Sequence, residues 1–298
     1  MNISEQIRQL CKQKNAIIMA HYYTDDSIQA VADFTGDSLA LAQKAAQTDA
    51  DIIVMCGVHF MGETAKILCP NKKVLIPDMS AGCSLADSCE AKALEQYKIE
   101  HPDHMVVSYV NTSARVKALT DVVVTSSNAR KIVEQLPTDQ PILFGPDQNL
   151  GRYINEVTGR DMILWDGACH VHSRFSGEDL KALKAKYTEA KVLAHPECKK
   201  DILDLADKVG STKALLDFVI NDITKQYIVI TENGILYEMR RACPDKEFIS
   251  IENKCEYMRL NSLEKLYDCL KNESPEIIVP QDIATRALVP IERMLKMS

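Results

Sequence analysis

The segment LWDGACHVHSRF, residues 164–175, places one cysteine and two histidines between an apolar stretch and a polar loop. Compared with the rest of the chain, it forms the end of a unit that occurs three times. The units end at Cys83, Cys169 and Cys255, and consecutive cysteines of this set are 86 residues apart. A long internal repeat predicts one supersecondary unit copied several times, so it decides the architecture before any local motif does.

Three further features of the unit share this register. Each unit has a first strand ended by a polar residue, a central turn opened by an aspartate, and a last strand closed by an acidic residue. Corresponding residues are spaced by 88 and 86 positions: His21, Tyr109 and His195; Asp33, Asp121 and Asp207; Asp78, Asp166 and Glu252. A hydroxyl residue stands five positions beyond each central aspartate, at Ser38, Ser126 and Thr212. This agreement predicts a true triplication.

Each unit alternates short runs of Val, Ile and Leu with stretches of helical period. That alternation is typical of βαβ units whose parallel sheet is buried on both faces. The sequence therefore predicts an α/β protein of three similar parallel-sheet βαβ domains about a pseudo-three-fold axis, with the active site at their junction. We expect domains at residues 1–84, 85–169 and 170–255. Residues 256–298 are expected to pack back on the first domain as a helix, a short strand and a last helix.

Composition narrows the classes of function. The 298 residues are 46% hydrophobic and 26% charged, with a net charge of −7, as in ordinary globular proteins. No basic run is present, so nucleic acids and anionic membranes are not expected partners. No stretch approaches 18 apolar residues, and the N-terminal segment is typical of a polar amphipathic helix rather than a signal peptide. We expect a cytoplasmic protein.

The ten cysteines contain no C-x-x-C pair, so zinc ribbons and thioredoxin-like sites are not expected. Three equivalent loops around an axis would bring Cys83, Cys169 and Cys255 to one point. Three thiolates suit zinc with a water ligand or an iron–sulfur cluster, and a four-iron cluster with three protein ligands leaves one iron open as a Lewis acid. His170 and His172 have no counterparts in the other cysteine loops, so we interpret them as residues that form local hydrogen bonds or support the metal ligands from behind.

Two polar sets accompany the cysteines. The strand-end residues are joined by neighbours two positions later, and the first set is His21, Tyr109 and His195 with Tyr23, Asn111 and Glu197. Such donors, acceptors and a carboxylate could bind carboxylate groups and move protons. The second set is the segments G-D-S at 36–38, T-S-S at 125–127 and G-S-T at 210–212, each just before a helical run. These hydroxyl residues predict helix N-caps, and three converging helix N-termini would bind phosphate or carboxylate.

Competing motifs find little support. GDSL at 36–39 occurs in esterases, but no histidine follows an aspartate by three positions, as that mechanism requires. The dinucleotide-binding, P-loop and zincin motifs are absent. Another cluster-dependent hydroxy-acid dehydratase and a non-catalytic iron–sulfur sensor remain as alternatives, although an electron carrier usually uses four thiolates.

Over essentially its full length the chain resembles the quinolinate synthase family. The matching stretches are AHYY at 20–23, ADFTGDSL at 32–39, GVHFMGETAKIL at 57–68, YVNTSA at 109–114, VTSSNA at 124–129, FGPDQNLG at 144–151, AHPEC at 194–198, VGST at 209–212 and the three cysteine loops. The resemblance implies one [4Fe–4S] cluster per chain, held by Cys83, Cys169 and Cys255. It implies condensation of iminosuccinate with dihydroxyacetone phosphate to quinolinate, phosphate and water, in NAD biosynthesis. An aspartate-oxidising enzyme would supply the iminosuccinate.

Site residues carried over from the family are also implications of the resemblance. Substrate contacts are expected at His21, Ser38, Tyr109, Val110, Asn111, Ser126, His195, Pro196, Glu197, Ser211 and Thr212. Catalytic roles are expected for Tyr23, His21 and Glu197. Some members carry C-x-x-C-x-x-C in the last cysteine loop. Only Cys255 stands there in this chain, so thiol–disulfide regulation at that loop is not expected.

Overall fold

The structure, a computed structural model, describes residues 2–298. Its named strands form three four-stranded parallel sheets, one in each repeat. The three orders are β2-β1-β3-β4, β6-β5-β7-β8 and β10-β9-β11-β12, so each sheet has the same topology. The fold class predicted from the repeat is confirmed.

The element bounds follow the repeats. The first repeat contains α1 (Ile3–Lys14), β1 (Ala16–His21), α2 (Asp26–Val31), β2 (Phe34–Gly36), α3 (Ser38–Gln47), β3 (Ile52–Cys56), α4 (His59–Leu68), β4 (Lys73–Leu75) and α5 (Ser84–Asp87). The second contains α6 (Ala91–Glu100), β5 (Met105–Tyr109), α7 (Ala114–Lys117), β6 (Val122–Val124), α8 (Ala129–Gln135), β7 (Ile142–Gly145), α9 (Gln148–Thr158), β8 (Ile163–Leu164) and α10 (His170–Ser173). The third contains α11 (Gly177–Lys186), β9 (Lys191–Ala194), α12 (Lys200–Leu203), β10 (Lys208–Val209), α13 (Thr212–Asn221), β11 (Gln226–Ile230), α14 (Ile235–Ala242), β12 (Glu247–Ser250) and a 3₁₀ helix (Met258–Leu260). Helices α15 (Leu263–Asn272) and α16 (Gln281–Met297) follow.

The central aspartate of each repeat fixes the register of the sheet. Its Oδ2 accepts the backbone N–H of a first-strand residue at 2.7–2.8 Å, and its own N–H donates to the carbonyl of that residue. The pairs are Asp33 with Ile18, Asp121 with Val106, and Asp207 with Val192. A buried backbone donor needs such a partner. This explains why the aspartates recur in register.

The predicted helix N-caps are confirmed for α13 and wrong for the other two helices. Ser211 caps α13 by accepting the N–H of Ala214, whereas α3 is capped by Asp37, which accepts the N–H of Ala40. Ser38 and Thr212 are the first helical residues. The predicted cap Ser126 lies before Asn128, the N-cap residue of α8. The hydroxyls of Ser38, Ser126 and Thr212 therefore do not cap a helix and remain available for other contacts.

The C-terminal segment packs on two repeats. Helix α15 lies against α1, whereas α16 lies against α4, α7, α8 and β6. The short strand predicted near residue 276 is wrong, since this part of the chain forms one isolated antiparallel bridge between Glu276 and Leu75. Pro275 and Pro280 flank the bridge and lack the N–H groups that a strand uses. The domain boundaries at residues 84, 169 and 255 stay a prediction.

The apolar core is shared unequally. One continuous set of buried side chains runs through the first two repeats and α16, and includes Ile53, Val123 and Ile291. The third repeat packs its sheet with separate clusters, which include Leu215 and Ile228. Among residues 2–298, no helix combines the length and the apolar character needed to cross a bilayer.

Candidate active site

A cavity of about 720 Å³, counting space open to solvent, lies where the three repeats meet. The predicted site residues that line it are His21, Tyr23, Ser38, Cys83, Tyr109, Asn111, Ser126, Cys169, His195, Glu197, Thr212 and Cys255. Three other predicted residues are not part of its lining. Val110 faces a smaller apolar space behind it, Pro196 is buried beside it, and Ser211 caps α13.

The three cysteines occupy equivalent places in equivalent loops. Each carbonyl accepts the N–H of the residue four positions later, at 2.9–3.1 Å, which forms one helical turn after each cysteine. The carbonyl two positions before each cysteine accepts an N–H from the start of the preceding helix or loop: Ala81 from His59, Gly167 from Gln148, and Asn253 from Asn233. Each cysteine is therefore held between two backbone contacts of its own repeat.

The three thiols are partly buried where they line the cavity. Burial raises the pKa of Cys83 to about 12, that of Cys255 to about 11, and that of Cys169 well above its usual range. The N–H groups of the helical turn that follows each cysteine act in the opposite direction, because they stabilise a thiolate. A bound metal would replace these protons, and the helical turns favour that exchange.

The spacing of the sulfurs discriminates between metals. The charges of Cys83 and Cys255, and of Cys83 and Cys169, affect one another, so the thiols are neighbours. Among residues 2–298, the group whose possible ligand atoms all lie within 4.8 Å of one another is Cys169, His172 and Glu197. At least two of the three cysteine sulfurs are therefore farther apart than 4.8 Å. One zinc ion with Zn–S bonds of about 2.3 Å would hold three thiolates about 3.8 Å apart. The three cysteines therefore fit a larger metal group better than a single zinc ion.

His21 and His195 are neutral donors. The backbone N–H two positions later donates to Nδ1 in both, from Tyr23 at 3.1 Å and from Glu197 at 3.4 Å. Because Nδ1 accepts, the proton of each neutral ring lies on Nε2. Burial lowers the pKa of His21 to about 4 and that of His195 to about 3. Each ring therefore presents an N–H donor, and Nε2 of His195 lies 3.3 Å from the Ser126 hydroxyl.

Glu197 is one of three buried carboxylates that line the cavity, with Asp37 and Glu232, and its side chain is 4% exposed. Burial alone would raise the pKa of Glu197, but His172 and the donating hydroxyl of Tyr109 hold that pKa well below its usual range. The closest contact joins Glu197 Oε2 to His172 Nδ1 at 2.7 Å. Glu197 is therefore a carboxylate at neutral pH, stabilised by two side chains of the second repeat.

A chain of hydrogen bonds connects Glu197 to Tyr23. His172 Nε2 lies 2.9 Å from Thr231 Oγ1, which lies 2.7 Å from the Tyr23 hydroxyl. That hydroxyl also lies 2.9 Å from Thr212 Oγ1. Burial, and next the charge of Glu197, raise the pKa of Tyr23 well above its usual range. Tyr23 thus keeps its proton at rest and can exchange it along this chain.

The three repeats also meet through short polar side chains. The Ser127 hydroxyl lies 2.6 Å from Asp37 Oδ2 and 2.8 Å from Ser211 Oγ, so one residue of each repeat takes part. Since a carboxylate only accepts, Ser127 donates to Asp37. Helices α3 and α13 begin beside this contact, with Ser38 and Thr212 facing the cavity.

Sequence reasoning missed part of this site. It expected His172 to form local hydrogen bonds or support the ligands, as its contact with Cys169 Sγ at 3.3 Å does, but did not foresee that His172 links Glu197 to Thr231, directly after β11. It named neither Thr231 nor Glu232, whose carboxylate accepts the N–H of Cys255 at 3.1 Å. A register search could not find His172, because the equivalent residues in the other loops are Ala86 and Met258. Thr231 and Glu232 directly follow strand β11. Polar residues at the carboxyl end of a parallel strand are expected near a ligand, and this position was the signal that could have found them.

Comparison with known proteins agrees with this geometry. The profile of a family described as quinolinate synthetase A protein matches residues 5–296. A quinolinate synthase of Synechocystis sp. is 54% identical over 299 residues, covering 98% of this chain and 94% of the relative. The quinolinate synthase of Chloroherpeton thalassium is 52% identical over 306 residues, covering 100% and 95%, and that of Microcystis aeruginosa is 52% identical over 299 residues, covering 98% and 94%. With matches that span nearly the whole of each sequence, the chain belongs to the quinolinate synthase family and is an enzyme, a synthase.

Proposed function

We propose that the chain condenses iminosuccinate with dihydroxyacetone phosphate to quinolinate, phosphate and water, as a cytoplasmic step of NAD biosynthesis. The observation that carries the proposal is the cavity in which three equivalent cysteines face strand-end residues that differ from repeat to repeat. Such a cavity offers a metal on one side and distinct donors and acids on the other. A condensation with two eliminations needs both.

The metal group is proposed to be a [4Fe–4S] cluster, one per chain, held by Cys83, Cys169 and Cys255. Membership of the family implies an iron–sulfur cluster, and the separation of the sulfurs supports a group larger than one ion. With three protein ligands, such a cluster supplies an open iron that acts as a Lewis acid toward oxygen or nitrogen groups of a substrate.

Binding of the anionic substrates is assigned to neutral donors. Neither lysine nor arginine occurs among the residues that line the cavity. The Nε2–H groups of His21 and His195 can donate to carboxylate oxygens, and the hydroxyls of Ser38 and Thr212 stand at helix N-termini, where free backbone N–H groups favour an anion. Ser126, Tyr109 and Asn111 complete the proposed contacts. Val110, Pro196 and Ser211 support these residues from behind the lining.

Proton transfer is assigned to Tyr23 and Glu197 with His172 and Thr231 between them. Tyr23 can donate its hydroxyl proton to a departing oxygen and recover one through Thr231 from His172. The Glu197 carboxylate stabilises the charged imidazole during this exchange, as the carboxylate does in a Ser-His-Asp arrangement. Glu197 can also accept a proton from the substrate, because it is ionised at neutral pH.

The test is an anaerobic assay of the purified chain with both substrates and with quinolinate as the measured product. We expect quinolinate formation, about four irons per chain as the cofactor proposal requires, and loss of both when Cys169→Ser is introduced. Colourless, fully active protein that contains only zinc would contradict the cluster. A reversible redox response without binding of either substrate in calorimetry would favour a sensor. Turnover of another hydroxy acid in place of these substrates would favour a dehydratase.

Supply of iminosuccinate by an aspartate-oxidising enzyme is part of the same proposal. Imines of this kind hydrolyse in water, so the substrate has to be made close to where it is used. The expected result is that quinolinate forms from aspartate only when such an oxidase is added to the assay. Its formation from aspartate by the purified chain alone would contradict this arrangement.

A further inference from the structure

The residues that directly follow the three cysteines form a feature that the proposed reaction does not use. They are Ser84, His170 and Glu256, and each is separated from the next by 86 positions. These residues carry three different polar side chains at one equivalent place. They come from three different repeats, and they contact one another.

Their contacts form a continuous chain. Ser84 Oγ lies 2.6 Å from His170 Nδ1, and His170 Nε2 lies 3.0 Å from Glu256 Oε2. Because a carboxylate only accepts, His170 Nε2 donates to Glu256. Arg174 donates to the other oxygen of Glu256 at 2.9 Å, which fixes the orientation of the carboxylate.

Tyr257 adds a second contact among the same three loops. Its ring meets the His170 ring edge-on, with centroids 5.8 Å apart. On the other side, its Cε1 lies 3.8 Å from the place where a Cβ on Gly82 would stand. A side chain of the third loop therefore packs on the second loop and against the first.

This chain crosses between repeats, whereas the backbone contacts of each cysteine loop stay within one repeat. Ser84 and His170 line the cavity, and the Glu256 side chain at the other end is 57% exposed. The chain thus runs from the cavity to the surface beside the three sulfurs. It is placed to determine how far apart the three loops stand.

We propose that Ser84, His170 and Glu256 form a brace that positions the three cysteine loops for the metal group, both before the metal binds and while it is bound. This inference rests on the proposed metal site. A brace that is present without the metal lowers the ordering cost of metal binding, and it slows the opening of the loops through which the metal is lost. Groups that orient metal ligands from behind commonly change metal affinity by about 10–100-fold.

The first test measures metal loss from the anaerobically loaded enzyme. The probe is an iron chelator, and the readout is the decay of the iron–sulfur absorbance. We expect His170→Ala to accelerate the decay about 10-fold or more, as for other residues behind metal ligands. Ser84→Ala should accelerate it less, because it removes only one of the two links. The control is Ser173→Ala, which lies on the same helical turn but outside the brace and should lose metal like the unaltered chain.

The second test uses the full chain without metal and measures hydrogen exchange in residues 80–88, 168–175 and 253–260. A brace predicts that His170→Ala raises exchange in the two loops that do not contain the substitution. A purely local role would raise it only around residue 170. Exchange confined to that loop, or metal loss within twofold of the unaltered chain in both His170→Ala and Ser84→Ala, overturns the inference.

The two proposals fail separately. If the unaltered chain binds no iron, the proposed metal site is wrong, and the exchange experiment alone decides whether the three loops are linked. If the chain binds iron and forms quinolinate but the brace variants lose metal at the normal rate, the function stands and the brace does not.

Discussion

The three repeats are alike on one side of the cavity and differ on the other. On the cysteine side, the three loops share one backbone geometry, with the same helical turn and the same carbonyl contact in every repeat. On the strand-end side, the equivalent tripeptides are His-Tyr-Tyr at 21–23, Tyr-Val-Asn at 109–111 and His-Pro-Glu at 195–197. The proposed function accounts for this difference, because a group with equivalent metal atoms suits three equal ligands, whereas two unlike substrates need unlike neighbours.

In the second cysteine loop, a residue that contacts the cysteine side and a residue that contacts the strand-end side are only two positions apart. His170 contacts Ser84 and Glu256 beside the sulfurs, and His172 contacts Glu197 and Thr231 on the reacting side. The helical turn that begins after Cys169 points these two rings in different directions. Equal loops are therefore compatible with unequal chemistry.

The largest effect should come from breaking the equality of the three ligands. We expect Cys83→Ser, Cys169→Ser and Cys255→Ser to lose nearly all iron and all quinolinate formation, and to do so alike. Iron per chain and the product assay measure this. Cys89→Ala, at a buried thiol outside the cavity lining, should keep both. A serine variant that retains full iron would show that its cysteine is not a ligand.

A smaller but still large effect is expected where the repeats differ. Glu197→Gln should lower kcat by about 10²–10⁴-fold with iron content unchanged, because it removes the carboxylate of the three strand-end tripeptides, to which proton transfer is assigned. The equivalent change in the second repeat, Asn111→Ala, should mainly raise KM. Steady-state kinetics of the two variants separate the roles. Equal effects on kcat would contradict the assignment of Glu197 to proton transfer.

Neighbouring tyrosines give a sharper contrast. Tyr23→Phe removes the hydroxyl between Thr231 and Thr212 and should lower kcat by about 10–100-fold. Tyr22→Phe should leave kcat unchanged, since Tyr22 packs in the core of the third repeat and does not line the cavity. Thr231→Val should resemble Tyr23→Phe. Normal turnover in Tyr23→Phe would remove the hydrogen-bonded chain from the mechanism.

The two histidines of the strand-end side predict a dependence of stability on pH. Their pKa values are about 4 and about 3 in the folded chain, below the ordinary 6.5, so the unfolded chain binds more protons between these limits. Stability is therefore full above pH 6.5 and falls as the pH decreases through 4. Urea unfolding at pH 7 and pH 5 measures the loss. His195→Gln should reduce this dependence, and His101→Gln, far from the cavity, should not.

The smallest effects should again be equal in the three repeats. Asp33→Ala, Asp121→Ala and Asp207→Ala each leave a first-strand N–H without its partner, which should lower the free energy of unfolding by about 1–3 kcal/mol. The corresponding asparagine variants keep an acceptor and should lose less. Denaturant unfolding checks both series. Unequal losses would indicate that the repeats depend on their neighbours more than these internal contacts suggest.

The sequence predicted the features that recur in all three repeats and missed those that occur once. The cysteines, the aspartates and the strand ends could be predicted because their equal spacing in three copies distinguishes them from chance. His172 and Thr231 occur in one repeat each, and only the folded chain brings them together. The cap of α13 was predicted, but that of α3 was misplaced because Asp37 accepts the N–H group that Ser38 was expected to bind. The strand predicted near residue 276 does not form because the prolines on either side lack N–H groups for a sheet, which a pattern of apolar residues does not take into account.

Every named strand pairs only with strands of its own repeat. Because such pairings are close in sequence, we expect each sheet to form early and on its own, and the cavity to arise only when the finished units dock. Until then Cys83, Cys169 and Cys255 lie on separate bodies, each without the neighbours that later shield it. These thiols are therefore most easily oxidised before the units dock. A reductant present during refolding should raise the yield of protein that can bind the metal group more than the same reductant added afterwards.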